Sequence, residues 1–178
     1  VANNKVGDSA ESLWVMKHNS VSIDYFVNDM QYVTLSCSFN SLTHSVTFVY
    51  AFILYTKRRA IWDNLLDISE GMNHSWNIIG DFNVVLTPEE KTGDNFCCTS
   101  AAEFASCIDK CGMIQVPVSG DDFTWSRYTI NGQQASKLDK CFVQVDNVNS
   151  AIDVSGVTLP RVHSDHNPIF AEVCDSRV

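Results

Sequence analysis

Three short clusters hold the side chains of this sequence that could do chemistry. Gly80-Asp81-Phe82-Asn83 follows an apolar run. A carboxylate and an amide two residues apart on an extended segment project to the same side, and Gly80 permits a tight exit. Lys137-Leu138-Asp139-Lys140 puts an acid at the opening of an otherwise apolar strand, and Ser164-Asp165-His166 stands just before the apolar run from Pro168. Carboxylate and amide oxygens suit a hard cation such as Mg²⁺ better than zinc. A His oriented by an Asp is a recurring unit for stabilising or transferring charge. Singly, each cluster has an ordinary explanation. Asp after a strand caps its own backbone in a turn, and a lone His at a strand entry is more often structural or exposed. Their order and flanks carry the information.

The elements that must position these clusters show in the apolar periodicity. Leu13–Met16, Val21–Phe26, Gln31–Cys37 and Ser45–Leu54 alternate or run apolar with β-branched and aromatic enrichment, which predicts strands. The last is long enough for a central, doubly covered place in a sheet. Ile61, Trp62, Leu65 and Leu66 then recur at helical spacing, predicting an amphipathic helix from Lys57 to about Ser69, ended by Gly71. Trp76-Asn77-Ile78-Ile79 is a short buried strand feeding Asp81. Thr87-Pro88-Glu89-Glu90 and Ser100-Ala101-Ala102-Glu103 both carry capping-box signatures, the first for a helical turn and the second for a helix closed by Gly112. Phe123–Trp125, Lys137–Val143, Val157–Leu159 and Pro168–Val173 return to strands. The pattern predicts one α+β domain over residues 1–178, with helices outside a β-sandwich.

Bulk composition narrows the partners. The 178 residues carry a formal charge of −9, which argues against holding nucleic acid mainly by charge. It leaves room for acidic side chains gathered around a divalent cation. Seven cysteines without regular spacing give neither a disulfide framework nor a CxxC zinc site, so a reducing compartment fits best. Cys107 and Cys111 share a helix face and are expected to be packed free thiols. No stretch is long and apolar enough for a membrane helix.

The order of the clusters resembles the endonuclease/exonuclease/phosphatase superfamily, to which deoxyribonuclease I and the apurinic/apyrimidinic endonucleases belong. The likeness rests on Asp81 with Asn83, Phe123-Thr124-Trp125, Leu138-Asp139-Lys140 and Ser164-Asp165-His166-Asn167-Pro168-Ile169. It is nearest to the endonuclease domain of plant LINE-type (non-LTR) retrotransposons. Val49-Tyr50-Ala51, Arg58-Arg59-x-x-Trp62-x-x-Leu65, Glu90-Lys91-x-Gly93 and Phe104-x-x-Cys107-Ile108 carry that closer likeness.

The resemblance implies a four-layer α/β/β/α sandwich and a Mg²⁺-dependent DNA-nicking domain, with Mn²⁺ as the alternative cation. It implies fusion in the parent to a reverse transcriptase and a nuclear site of action. By the same resemblance Asp81 activates or orients water and Asn83 holds the phosphate. His166 contacts the scissile phosphoryl oxygen, Asp139 fixes its tautomer, Asp165 binds or positions the metal, and Tyr50 lines the phosphate pocket. Hydrolysis of a phosphodiester needs such a set: a positioned water, neutralised phosphoryl oxygens and help for the leaving alkoxide.

Family members also carry an Asn after the first strand and a metal-binding Glu at the end of the next. Neither has a match here, where only Asp8 and Glu11 lie upstream, in a segment that reads as a turn. The expectation is a domain without its first strands, with low or absent activity and an exposed sheet edge. Lys140 stands where the retroelement pattern usually has Arg. The alternatives are a phosphoinositide or sphingolipid phosphatase or phosphodiesterase of the same superfamily, and a non-catalytic relic. The basic run Lys57-Arg58-Arg59 is either a solvated helix start or a phosphate-facing patch.

Overall fold

The computed structural model describes residues 2–3, 13–39, 42–130, 132–144 and 152–175. Its strands are β1 Ala2–Asn3, β2 Trp14–Val15, β3 Ser22–Asp29, β4 Tyr32–Phe39, β5 Leu42–Tyr50, β6 Ser75–Asp81, β7 Met113–Gln115, β8 Val118–Ser119, β9 Trp125–Thr129, β10 Gly132–Ser136, β11 Asp139–Gln144, β12 Ile152–Thr158 and β13 Ile169–Asp175. The helices are α1 Tyr55–Gly71 and α2 Cys98–Lys110, with a 3₁₀ turn at Pro88–Glu90.

A six-stranded sheet in the order β3-β4-β5-β6-β11-β7 forms the middle of the molecule, and a three-stranded sheet β13-β12-β8 faces it. Alternation along the strands assigns the two faces of the large sheet. Trp76 and Ile78 of β6 and Phe142 of β11 meet Ile61, Trp62 and Leu65 of α1 and Phe104, Cys107 and Ile108 of α2. The intervening residues Ile79, Cys141 and Val143 turn the other way, towards Val154 and Ala171 of the small sheet. Helices, large sheet and small sheet are thus three of the four expected layers, and both α-helices of the described residues lie on one face.

Several boundaries differ from the sequence expectation. β5 stops at Tyr50, because Gln31 draws the chain out of the sheet by accepting the Phe52 N–H at 2.9 Å. α2 begins at Cys98, so Ser100 lies inside it rather than capping it. Tertiary partners took both capping-box side chains: Ser100 Oγ accepts from Arg58 at 2.9 Å, and Glu103 receives Arg59 in a bidentate pair. Glu90 does act at its turn, but its carboxylate accepts the Leu86 N–H at 2.6 Å. The polar strand β10, paired with β9, and the short β7 and β8 lack the apolar alternation that would have announced them. Cys107 and Cys111 are buried free thiols, as expected.

Candidate active site

Strand direction brings the chemistry together. β5 and β6 run parallel, so Tyr50 and Asp81 end them side by side as register partners. β11 runs antiparallel to β6, which makes its first residue, Asp139, the partner of Asp81 on the other side. Directly opposed residues share a face. Since Ile79 and Cys141 face the small sheet, Asp81 and Asp139 do too. Gly80 is required for a reason the sequence did not show. Its φ is 144°, and a Cβ there would stand 2.1 Å from the Val49 carbonyl oxygen of β5.

His166 comes from the small-sheet side, just before β13. A backbone pairing with Trp125 and the Asn167 N–H donated to the Thr124 carbonyl at 2.6 Å hold its segment. Its Nδ1 lies 2.9 Å from Asp139 Oδ2, and its Nε2 comes within 4.0 Å of Asp81 Oδ2. A carboxylate only accepts, so Nδ1–H donates to Asp139 and Nε2 is left to face Asp81.

Asn83 reaches Asp81 by a turn, not along an extended segment, since its φ is 49°. Its backbone N–H donates to Asp81 Oδ1 at 2.8 Å, and its Nδ2 donates to Asp81 Oδ2 at 3.0 Å and to the Ala51 carbonyl at 2.7 Å. The turn-forming role that Asp often plays after a strand is therefore real here, and it coexists with the cluster. Phe82, between them, is fully buried against Phe104 and Phe142, with ring centroids 5.0 and 5.3 Å away. That anchor fixes where both polar neighbours can point.

Charge is unevenly tolerated in this cluster. Burial, and then the Asp139 carboxylate beside it, push the Asp81 pKa up to about 6, against the hydrogen bond from Asn83. The hydrogen bond to Asp139 raises that of His166, with burial opposing it. A base titrating near neutrality beside an oriented imidazole is the arrangement general acid–base chemistry uses.

Asp81, Asn83, Asp139 and His166 thus converge at one end of the sandwich. Tyr50 flanks Asp81 with 44% of its surface exposed, at the rim. Asp165, expected at the metal, accepts the Trp125 indole N–H at 2.9 Å, which lowers its pKa. Asp8 and Glu11 lie outside the described residues. Asp81 and Asp139 offer the hard oxygens Mg²⁺ takes. Among the described residues, however, no three His, Cys, Asp or Glu side chains gather as metal ligands would.

Two supports carried no assigned role in the sequence reading. Thr124 Oγ1 accepts the N–H groups of both Leu138 and Asp139 at 2.9 Å, which pins the start of β11. Lys140 is fully buried, with Nζ 3.0 Å from Glu90 Oε2 and donating to the Lys137 carbonyl. It clamps the Pro88–Glu90 turn to β11. Thr124 and Lys140 were visible only as letters of a motif, because neither residue type announces a buried bond. The basic run divides in three: Arg58 is buried, Arg59 pairs with Glu103, and Lys57 sits 5.9 Å over the Phe52 ring.

No family profile and no curated protein matches the sequence. Solved structures do. The endonuclease domain of TRAS1, a telomere-specific non-LTR retrotransposon, superposes with a TM-score of 0.69 at 16% identity, covering 90% of this chain and 71% of that one. The 3′ phosphatase NExo from Neisseria, bound to product DNA hairpin, gives 0.60 at 16% identity over 86% of this chain and 70% of its own. A beta toxin mutant from Staphylococcus aureus with bound magnesium ions gives 0.50 at 14% identity, over 82% of this chain and 55% of the toxin. These likenesses establish the DNase I-like fold of endonucleases, exonucleases and phosphatases.

Proposed function

We propose that this chain is the DNA-nicking endonuclease domain of a non-LTR retrotransposon, fused in its parent to a reverse transcriptase and acting in the nucleus. The observation that carries the reading is the Asp81–His166–Asp139 cluster, with Asn83 bonded to Asp81, at one end of a DNase I-like sandwich. The expected product is a nicked strand whose free 3′-hydroxyl primes reverse transcription. The similarity in fold to a retrotransposon endonuclease supports the retroelement branch over lipid phosphatases.

In this reading His166 donates from Nε2 to a non-bridging oxygen of the scissile phosphate. Asp139, accepting from Nδ1–H, orients the ring and favours its doubly protonated form, the form in which Nε2 can donate. Asp81, with its raised pKa, takes a proton from the attacking water, and Asn83 holds it in place by two hydrogen bonds. By the family resemblance Asp165, which accepts the Trp125 indole N–H, would help to position a cation, and Tyr50, beside Asp81, would border the phosphate. A divalent cation, Mg²⁺ or Mn²⁺, would supply further charge neutralisation on the phosphoryl oxygens. The carboxylates present are of the kind it takes, and the Glu of the retroelement pattern has no match in the sequence. Weak nicking by the chain alone follows.

The test is plasmid relaxation by the chain, alone and extended upstream with a homologous retroelement segment, with and without Mg²⁺. The extended protein should nick only with the cation, and His166→Ala or Asp81→Ala should lower the rate by orders of magnitude. A folded extended protein that binds Mg²⁺ and leaves DNA intact would overturn the nuclease assignment.

A further inference from the structure

The loop that delivers His166 is held by almost no packing. Between Arg161 and Asn167, Val162 to Asp165 are exposed and only Asn167 is buried. His163 also takes a left-handed φ of 55°, uncommon for a residue with a side chain. A strained backbone without a core beneath it keeps one geometry only where other contacts over-determine it. Hydrogen bonds to the Asp121–Ser126 stretch, which leads into β9, supply those contacts.

Arg161 opens the loop and reaches back to Ser126. Its Nη1 donates to the Ser126 carbonyl at 2.9 Å and to the Ser126 hydroxyl at 2.6 Å. Asp121 and Asp122 line the same cavity, yet neither lies within ion-pair distance of the guanidinium. The cation is directed at a backbone oxygen instead, which fixes geometry rather than neutralises charge. Asp165 holds the middle of the loop. Its carbonyl accepts the Ser126 N–H at 3.0 Å, and its carboxylate accepts the Trp125 indole N–H at 2.9 Å. Asn167 closes the loop, with its N–H on the Thr124 carbonyl and its Nδ2 3.1 Å from Asp121 Oδ2 and 3.2 Å from the Phe123 carbonyl. His166 therefore stands between two anchored neighbours. The same stretch holds its partner, since Thr124 Oγ1 accepts the Asp139 N–H. One strand entry sets both ends of the His166–Asp139 bond.

We propose that Trp125 and Arg161 are positioning residues for His166. Neither side chain bonds to Asp81, Asp139 or the imidazole. Trp125 acts through Asp165, and Arg161 acts through Ser126. Together they hold the loop where Nδ1 meets Asp139 and Nε2 faces Asp81. The Asp165 carboxylate thus has a use that needs no cation, which is to hold the indole. The inference rests on the cluster proposed above as catalytic, but its first test needs neither DNA nor metal.

That test is the His166 Nδ1–H resonance of the intact chain, which is protected from exchange only while the bond to Asp139 is kept. Trp125→Phe keeps a ring and loses the N–H, and Arg161→Gln loses the guanidinium fork. Each should broaden the resonance or abolish it, with a melting temperature close to that of the parent. Arg161→Lys retains one donor and should restore part of the signal. Asp165→Asn keeps an acceptor for the indole and should keep the resonance, whereas Asp165→Ala should lose it. Should Trp125→Phe fail to fold, Arg161→Gln, at a half-buried loop position, still decides. An unchanged resonance in Arg161→Gln and in folded Trp125→Phe would overturn the proposal. A second arm uses the upstream-extended, nicking-competent protein. There both substitutions should lower kcat roughly tenfold with KM within about twofold, as misplacement of a reacting group does. A change confined to KM would make them substrate-binding residues and overturn the positioning role. An extended parent that does not nick counts against the nuclease reading alone, and the resonance then decides the positioning role.

Discussion

At the scale of single residues, the members of the cluster were legible and the cost of gathering them was not. Asp81, Asn83, Asp139 and His166 stood out through the order and flanks of their clusters, not through any one of them. Nothing in the letters said that Asp81 would be buried beside a second carboxylate. Its pKa is raised in the fold, to about 6 from 3.8. The stability of its protonated form is therefore fully present below about pH 4 and is lost as pH rises through 6. Asp81→Asn, which keeps an acceptor for Asn83, should remove that loss. At pH 8 without divalent cations the variant should be more stable than the parent by up to about 3 kcal/mol, while nicking disappears. Thermal melts from pH 4 to 8 check this, and parallel curves for the two proteins would sink it. His166 titrates upward for a different cause, its bond to Asp139. Asp139→Asn should move its NMR titration back towards 6.5 and slow nicking.

At the scale of elements, the strands and helices that feed the site were legible, and the contacts that hold them were not. The Trp76–Ile79 run and the Ile61–Leu65 periodicity identified β6 and α1, since each buries one side of a regular element. Ser100 and Glu103 misled, because a capping box reads local sequence while Arg58 and Arg59 compete from another helix. Gly80 looked like a turn glycine and is instead the point where β5 and β6 approach. Gly80→Ala would set a methyl group against the Val49 carbonyl in a φ that disfavours any side chain. The expected loss is about 3 kcal/mol or more, seen in denaturant melts. Thr124 gives a finer test of the start of β11. Thr124→Val leaves the Leu138 and Asp139 N–H groups unpaired, at about 1–3 kcal/mol, and should lower the nicking rate more than DNA affinity. Thr124→Ser restores the acceptor and should recover both.

At the scale of the whole molecule, the site belongs to neither sheet alone. Asp81 and Asp139 end strands of the large sheet, and His166 enters the small one, so their 2.9 Å contact depends on how the sheets pack. That packing rests on Val116, Cys141 and Val143, with Ile79, Val154 and Ala171 against them. The helix-side core, around Leu65, Trp76 and Phe104, is larger but borders only one side of the Asp81–Asp139 row. The two cores should therefore differ in what they control. Val143→Ala removes two methyl groups between the sheets, a loss of about 2 kcal/mol. Leu65→Ala should cost more, about 2–5 kcal/mol, because it empties a fully buried site. If the His166–Asp139 geometry is set by sheet packing, the cheaper substitution should damage catalysis more. Small misplacements of a reacting group cost rate out of proportion to stability. In a nicking-competent form of the protein, Val143→Ala should lower kcat several-fold with KM nearly unchanged, and Leu65→Ala should leave kcat close to the parent value below its melting range. Equal effects on kcat, or a larger one from Leu65→Ala, would show that the helix-side core positions the site instead.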